Sequence, residues 1–175
     1  PELSYYYPTS TLVTDRGIIY FWVARMVMMG LEIMHHAPFS NVYIHGTILD
    51  EQGRKMSKSL GNGIDPLVMI DQYGADALRF SIIVLTTEGQ DITLSESRFE
   101  MGRNFTNKLW NAARFVLMNL EVEHPSEINL EPADYQFEDK WILSRLNTTI
   151  KTSTLYLDQF KFNDAAMKIY DFTWH

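Results

Sequence analysis

The sequence predicts an α/β fold followed by an all-α fold, with the change near residue 95. Three observations predict it. Two short β-branched runs, residues 10–14 and 41–49, flank an apolar stretch of helical length. A polar segment containing glycine, "TTEGQDITLS", then breaks that texture. Beyond it, apolar residues recur every three or four positions as far as the last residue.

The elements follow in order. "STLVT" (10–14) reads as a buried strand, and the apolar stretch 18–34 reads as a helix after "DRG". "NVYIHGTIL" (41–49) reads as the next strand, so strand, helix and strand form a βαβ unit with a parallel sheet. "DEQG" makes a turn, and a basic loop comes next. In "IDPLVMIDQYG", Asp65 is an N-cap candidate, Pro66 suits the first helical position and Gly74 suits the C-terminal cap. A second short helix is expected over 75–85. "SRFE", Ser97 to Glu100, fits a capping box. Phe105, Leu109, Ala112, Val116 and Leu120 mark the buried face of a long helix, with Trp110 also expected in the core. A polar, proline-containing connection over 121–139 leads to a second long helix marked by Trp141, Ile142, Leu146, Ile150 and Leu157. A third helix begins in "FNDAAMKIYDFTW" with Asn163 as its expected cap.

Composition narrows the class. The 175 residues are 46% hydrophobic and 21% charged, enough for a buried core. The net charge of −7 argues against a histone-like nucleic-acid surface but leaves room for a local basic site. With no cysteine there is no disulfide and no thiolate metal site, and the five histidines lack metal-ligand spacing, so no metal site is expected. No signal peptide is visible. Residues 18–34 are nearly long enough to span a bilayer. Arg25 near the middle and Glu32 near the end are expensive in hydrocarbon, so the stretch is read as a buried helix of a soluble protein. The chain opens on Pro-Glu and stops within an apolar pattern, and the expectation is an internal piece of a longer protein.

The chemistry concentrates in "GRKMSKSLGNGIDP". Lys55, Lys58, Ser57 and Ser59 supply two ammonium groups and two hydroxyls between Gly53 on one side and Gly61 and Gly63 on the other. In a turned or helical segment Lys55 and Lys58 share a face. The loop follows a strand of a predicted α/β sheet, where ligands bind at strand carboxyl ends, and glycines permit close approach. This inventory suits a polyphosphate, whose transfer chemistry depends on positioning and charge stabilisation rather than on a protein nucleophile. Neither GxxxxGK[ST] nor GxGxxG occurs, so the device differs from both.

"KMSKS" at Lys55 to Ser59 is similar to the signature loop of the class I aminoacyl-tRNA synthetases. The flanks "YPTSTLVT", "IIYFWVARM", "VYIHG", "YGADALRF" and "RNFTNKLWNAARFVLMNL" resemble the valine-specific branch over nearly the whole chain. The resemblance implies the C-terminal half of a Rossmann-like catalytic domain over 1–95 and the start of a helical anticodon-binding bundle over 96–175. It implies valine, ATP with Mg²⁺ and tRNA(Val) as partners, with ATP a substrate, in a monomeric cytoplasmic enzyme without a membrane partner. Lys58, supported by Lys55, is implied as the catalytic pair on the ATP phosphates and the departing pyrophosphate. His45, Gly46, Met56, Ser57 and Ser59 complete the implied ATP site, Met56 by packing. Asp15, Ile18 and Trp22 are the implied amino-acid pocket. The family's usual aspartate there aligns with Gly17, and Asp15 lies two positions earlier. Arg103, Asn107, Lys108, Asn111 and Arg114 are the implied tRNA-facing residues of the first bundle helix; a solvated helix face has the same spacing. Similarly, His45 and Ile18 also suit a core.

The family's His-x-Gly-His signature does not occur in this chain, and neither does its inserted editing domain. The expectation is that these 175 residues alone do not aminoacylate. Two other readings stay open: an isoleucyl or leucyl relative, and a non-catalytic RNA-binding module on the same scaffold.

Overall fold

The computed structural model describes residues 2–87, 89–120 and 134–175. Part of the predicted connection, residues 121–133, therefore lies outside the described residues, His124 with it. The chain forms two compact units: residues 1–63 with 86–94, and residues 64–85 with 95–175.

In the first unit, helix α1 (Glu2–Tyr6) leads into β1 (Thr9–Asp15), which pairs in parallel with β2 (Phe39–His45). The register runs from Thr9 opposite Phe39 to Asp15 opposite His45, so both carboxyl ends finish together. The predicted crossover is helical but irregular. A 3₁₀ turn (Arg16–Ile18) and a wide π turn (Ile19–Val23) precede α2 (Ala24–Met29), and another wide turn (Gly30–Met34) follows it.

The expectation that residues 18–34 are buried is overturned. Only Val23 and Gly30 are buried there, while Tyr20, Phe21, Met28, Met29 and Ile33 are exposed. The main neighbours of α2 are the turns at its own two ends, and within it Met26 and Val27 are only partly covered. By length and composition Arg16–Met34 could cross a membrane, a test that core helices also pass.

The strand predicted over 41–49 is two strands. Past His45 the chain stops pairing with β1, and β3 (Ile48–Leu49) pairs in parallel with β4 (Ile92–Thr93), which the sequence reading had placed in a break. Gly46 makes the switch possible: a Cβ there would run into the carbonyl oxygen of Gln90. The Ile92 N–H donates to the Thr47 carbonyl at 2.9 Å and the Leu94 N–H to that of Leu49 at 3.0 Å, holding the second sheet in register. Ile92 and Leu94 are buried with Val23, Thr14 and Asp50.

The second unit is helical: α3 (Pro66–Tyr73), α4 (Ala75–Leu85), α5 (Arg98–Asn119), α6 (Phe137–Asp158) and α7 (Phe162–Trp174). The punctuation of α3 is as read. Asp65 accepts the Leu67 N–H at 2.9 Å, Pro66 opens the helix, and Gly74 closes it at φ 94°. Two other caps differ. Ser97 makes no side-chain cap to α5; its Oγ lies 3.0 Å from that of Ser95 instead. Asn163 falls inside α7 and donates its Nδ2–H to the Val84 carbonyl, tying α7 to α4. The capping box that does form joins Gln136 and Asp139 at the start of α6.

Packing centres on Phe99 and Phe105, with Phe105 stacked 4.5 Å from Phe80 and tilted against Tyr170 at 5.0 Å. Gly102 brings α5 against α4, since a Cβ there would strike the Ala77 carbonyl oxygen and the Ser81 hydroxyl. The predicted core face is only partly buried. Phe105 is buried, but Leu109, Val116, Trp141, Ile142, Leu146, Ile150 and Leu157 are exposed, and α6 buries Thr149 and Ser153 instead. Trp110 is 73% exposed rather than core. Helical periodicity marked an apolar face correctly; no described element covers it.

Candidate functional site: the strand ends and the basic loop

Parallel pairing sets Asp15 and His45 side by side at the carboxyl ends of β1 and β2. Asp15 caps the 3₁₀ turn, accepting the Gly17 N–H, and also accepts the Thr47 hydroxyl at 3.1 Å. The Gly17 N–H is the main reason its carboxyl lies below the usual value. Burial opposes this, while the Thr47 hydroxyl and the charges of Lys55 and His45 add to it. Asp15, His45 and Lys55 therefore share one field. His45 places Nδ1 2.9 Å from the Gly46 carbonyl, which can only accept, so Nδ1 is the donor in that hydrogen bond. A second carboxylate, Asp91, accepts Arg16 at 3.1 and 3.2 Å and the Thr47 N–H at 2.9 Å, pinning the strand switch beside them.

The basic loop is pinned at its base. Asp50, which follows β3, is 6% exposed. Its carboxylate accepts from the backbone of Gln52 (3.1 Å) and Arg54 (2.8 Å), from Arg54 Nε (2.8 Å) and from Asn62 Nδ2 (2.8 Å). These hydrogen bonds, that from Asn62 foremost, hold its pKa at about 2 against an opposing effect of burial. Met56 is half-buried and donates its N–H to the Ile48 carbonyl at 3.3 Å. Ser57 Oγ accepts the Leu60 N–H at 3.3 Å and lies 3.2 Å from Ser59 Oγ, so the serines shape the turn around Lys58. Lys55 and Lys58 are exposed, and neither has an ion-pair partner among the described residues. The arrangement is a rigid base offering two unneutralised ammonium groups.

Other predicted residues are placed less tightly. Ile18 and Trp22 are 46% and 57% exposed, so neither is helix core. Arg103 lies 5.4 Å from the Tyr73 ring centre and Lys108 Nζ lies 4.2 Å from that of Trp174. Asn107, Asn111 and Arg114 are exposed on α5. A groove of about 700 Å³ between α4 and α5, lined by Phe80, Ile83, Phe105, Leu109 and Trp110 among others, contains none of the predicted site residues. Among the described residues there is no cluster fit for a metal.

Sequence reasoning missed Asp50, Asn62, Thr47 and the Arg16–Asp91 pair. Asn62 stood in plain view between Gly61 and Gly63, and Asp50 opened the turn after a strand. The other partners are 32 to 75 residues apart in sequence, which periodicity does not register.

Residues 1–95 match the family described as tRNA synthetases class I (I, L, M and V). The chain belongs to that family. Residues 139–175 match the anticodon-binding domain of tRNA ligases. The chain is 54% identical over 173 residues to the valine–tRNA ligase of Carboxydothermus hydrogenoformans and 53% identical over 174 residues to that of Geobacter sulfurreducens. In both cases 99% of this chain matches 20% of the relative, so the chain spans about a fifth of their length. Among solved structures, a leucyl-tRNA synthetase of Agrobacterium radiobacter K84, in a ternary complex with tRNA and LeuAMS, aligns with a TM-score of 0.79 at 26% identity. It covers 95% of this chain and 22% of its own. The methionyl-tRNA synthetase of Mycobacterium tuberculosis bound by methionyl-adenylate shares the fold with a TM-score of 0.74 at 22% identity, over 96% of this chain and 33% of its own.

Proposed function

We propose that this chain is part of a valine–tRNA ligase. In this reading it supplies the second half of the catalytic domain over 1–95 and the start of the anticodon-binding bundle over 96–175. The observation that carries the reading is the basic loop. Lys55 and Lys58 have no ion-pair partner among the described residues and project from a backbone that Asp50 and Asn62 hold. A loop that were only solvated surface would have no need of a buried carboxylate with four donors.

In the reaction, a valine carboxylate oxygen bonds to the α-phosphorus of ATP, and the bond from that phosphorus to the bridging oxygen of pyrophosphate breaks. ATP enters with Mg²⁺ as substrate. Negative charge grows on the leaving pyrophosphate, and the ammonium group of Lys58, backed by Lys55, offsets it where it develops. The Ser57 and Ser59 hydroxyls and Met56 keep the loop in shape, and His45 and Gly46 border the adenosine. Asp15, Ile18 and Trp22 border the valine. A hydroxyl of the terminal adenosine of tRNA(Val) then attacks the valyl carbonyl carbon and AMP leaves. Arg103, Asn107, Lys108, Asn111 and Arg114 face the tRNA. The reading is of a monomeric cytoplasmic enzyme with no membrane partner.

The test is amino-acid-dependent ATP–pyrophosphate exchange by the complete protein carrying this chain, with valine, isoleucine, leucine and threonine, and with Lys58→Ala beside wild type. Valine should drive the exchange, and Lys58→Ala should reduce it about a hundredfold or more. Exchange driven by isoleucine or leucine in place of valine moves the assignment to that relative. Exchange with no amino acid, alongside intact tRNA binding, leaves an RNA-binding module.

A further inference from the structure

Asn62 is a single side chain that does two jobs. Its Oδ1 accepts the Ser57 N–H at 2.9 Å, while its Nδ2 donates to Asp50 Oδ2 at 2.8 Å and to the Lys55 carbonyl at 3.3 Å. It therefore grips the loop backbone on both sides of Met56. The anchor behind it is Asp50, whose other donors, at Gln52 and Arg54, all lie in the chain leading into the loop. The Ser57–Leu60 hydrogen bond then closes the turn that carries Lys58. Only a side-chain amide offers donor and acceptor together at this reach; a carboxylate accepts only, and would face Asp50 with like charge.

We propose that Asn62 is a positioning residue: with Asp50 it latches the backbone of residues 55–57, so that the Lys55 and Lys58 ammonium groups meet a nucleotide polyphosphate in fixed directions. The inference rests on the adenylate-forming reading above. Lysine is a flexible point charge, and charge aimed before the reaction stabilises a transition state better than charge that must be gathered during it. Releasing the latch therefore slows the chemical step more than it weakens ATP binding; unfolded protein also lowers kcat without moving KM, so kcat is referred to the folded fraction.

The experiment compares wild type, Lys58→Ala, Asn62→Ala and Asn62→Asp in the complete protein. It measures valine-dependent exchange kinetics, thermal unfolding, and backbone hydrogen exchange over residues 53–63. Both Asn62 variants should still unfold cooperatively, Asn62→Asp at a lower temperature than Asn62→Ala because it sets like charge against Asp50. Their kcat should fall about ten- to hundredfold, while KM for ATP moves less than about threefold. Amides of 53–63 should exchange faster. If Lys58→Ala is inactive while both Asn62 variants keep the wild-type kcat, the latch is overturned and the ligase reading stands. If wild type itself shows no exchange with any amino acid, the ligase reading falls; unchanged hydrogen exchange over 53–63 in the variants overturns the latch on its own. Failure of both variants to fold makes Asn62 a structural residue and also overturns the proposal.

Discussion

The two units of this chain are held together by different physics. In the strand-and-loop unit, the contacts that define the geometry are polar and directional: Asp50 with Arg54 and Asn62, Asp15 with Thr47, Asp91 with Arg16. In the helical unit they are shape: Phe99 and Phe105 buried, Phe80 stacked and Tyr170 tilted against Phe105, and Gly102 letting two helices meet. A close-packed core tolerates small rotations of its parts, because dispersion is weakly directional. A site that meets a developing charge does not, because a displacement of about 1 Å can cost about a hundredfold in rate. The polar network lies where position matters most.

The largest expected effect tests the helical side. Phe105→Ala removes a buried ring that packs against two others and should cost about 3–5 kcal/mol, read as a drop in the denaturation midpoint. A cost below about 1 kcal/mol would mean the aromatic cluster is not what holds α4, α5 and α7 together.

Next come the glycines, one in each unit. Gly102→Ala pushes a methyl group into the Ala77 carbonyl and Ser81 hydroxyl, and Gly46→Ala pushes one into the Gln90 carbonyl. Each should destabilise by about 1–3 kcal/mol. The contrast is in what else changes. Gly46→Ala should also raise hydrogen exchange at Ile92 and Leu94, whose N–H groups bond to Thr47 and Leu49. If Gly46→Ala is silent there, the strand switch does not depend on this close approach.

How far the sequence discloses this division can be judged at particular residues. Asp65, Pro66 and Gly74 were legible because a helix stop and start are local chemistry. Lys55 and Lys58 were legible as a motif. Ser97 and Asn163 misled because a residue able to cap found other partners, Ser95 in one case and Val84 in the other. The break after His45 was illegible because its cause, the Gln90 backbone, lies far along the chain. Trp110 and the apolar residues of α6 misled for a third reason. Periodicity reports which face is apolar and is silent on what covers it.

A smaller effect probes the polar side through pH. Asp50 is ionised in the folded chain down to a pKa of about 2, against an ordinary value of 3.8. A carboxylate with a depressed folded pKa adds stability that is fully present above its unfolded pKa and is lost as pH falls through the folded one. The midpoint difference between wild type and Asp50→Asn should therefore be constant above about pH 5 and shrink as pH falls through 3.8 towards about 2. Asp15, also shifted below its ordinary value, adds to acid sensitivity in the same direction. A difference that stays constant through that window would mean the network does not depend on charge.

The smallest effect sharpens the contrast from the helical side. Ser81 is fully buried on α4 and its hydroxyl has no hydrogen-bond partner among the described residues. A polar group buried without a partner opposes folding, so Ser81→Ala should leave stability unchanged or raise it by up to about 1 kcal/mol. It also takes away one of the two atoms that a Cβ at position 102 would strike. Gly102→Ala should therefore cost less in the Ser81→Ala background than alone, though the Ala77 carbonyl still resists it. A shape-governed unit predicts this non-additivity, because the penalty lies in a few cubic ångströms of overlap and shrinks when one atom is withdrawn. Strict additivity of the two substitutions would mean that the backbone carbonyl alone sets the closeness of α4 and α5, with the serine hydroxyl a bystander.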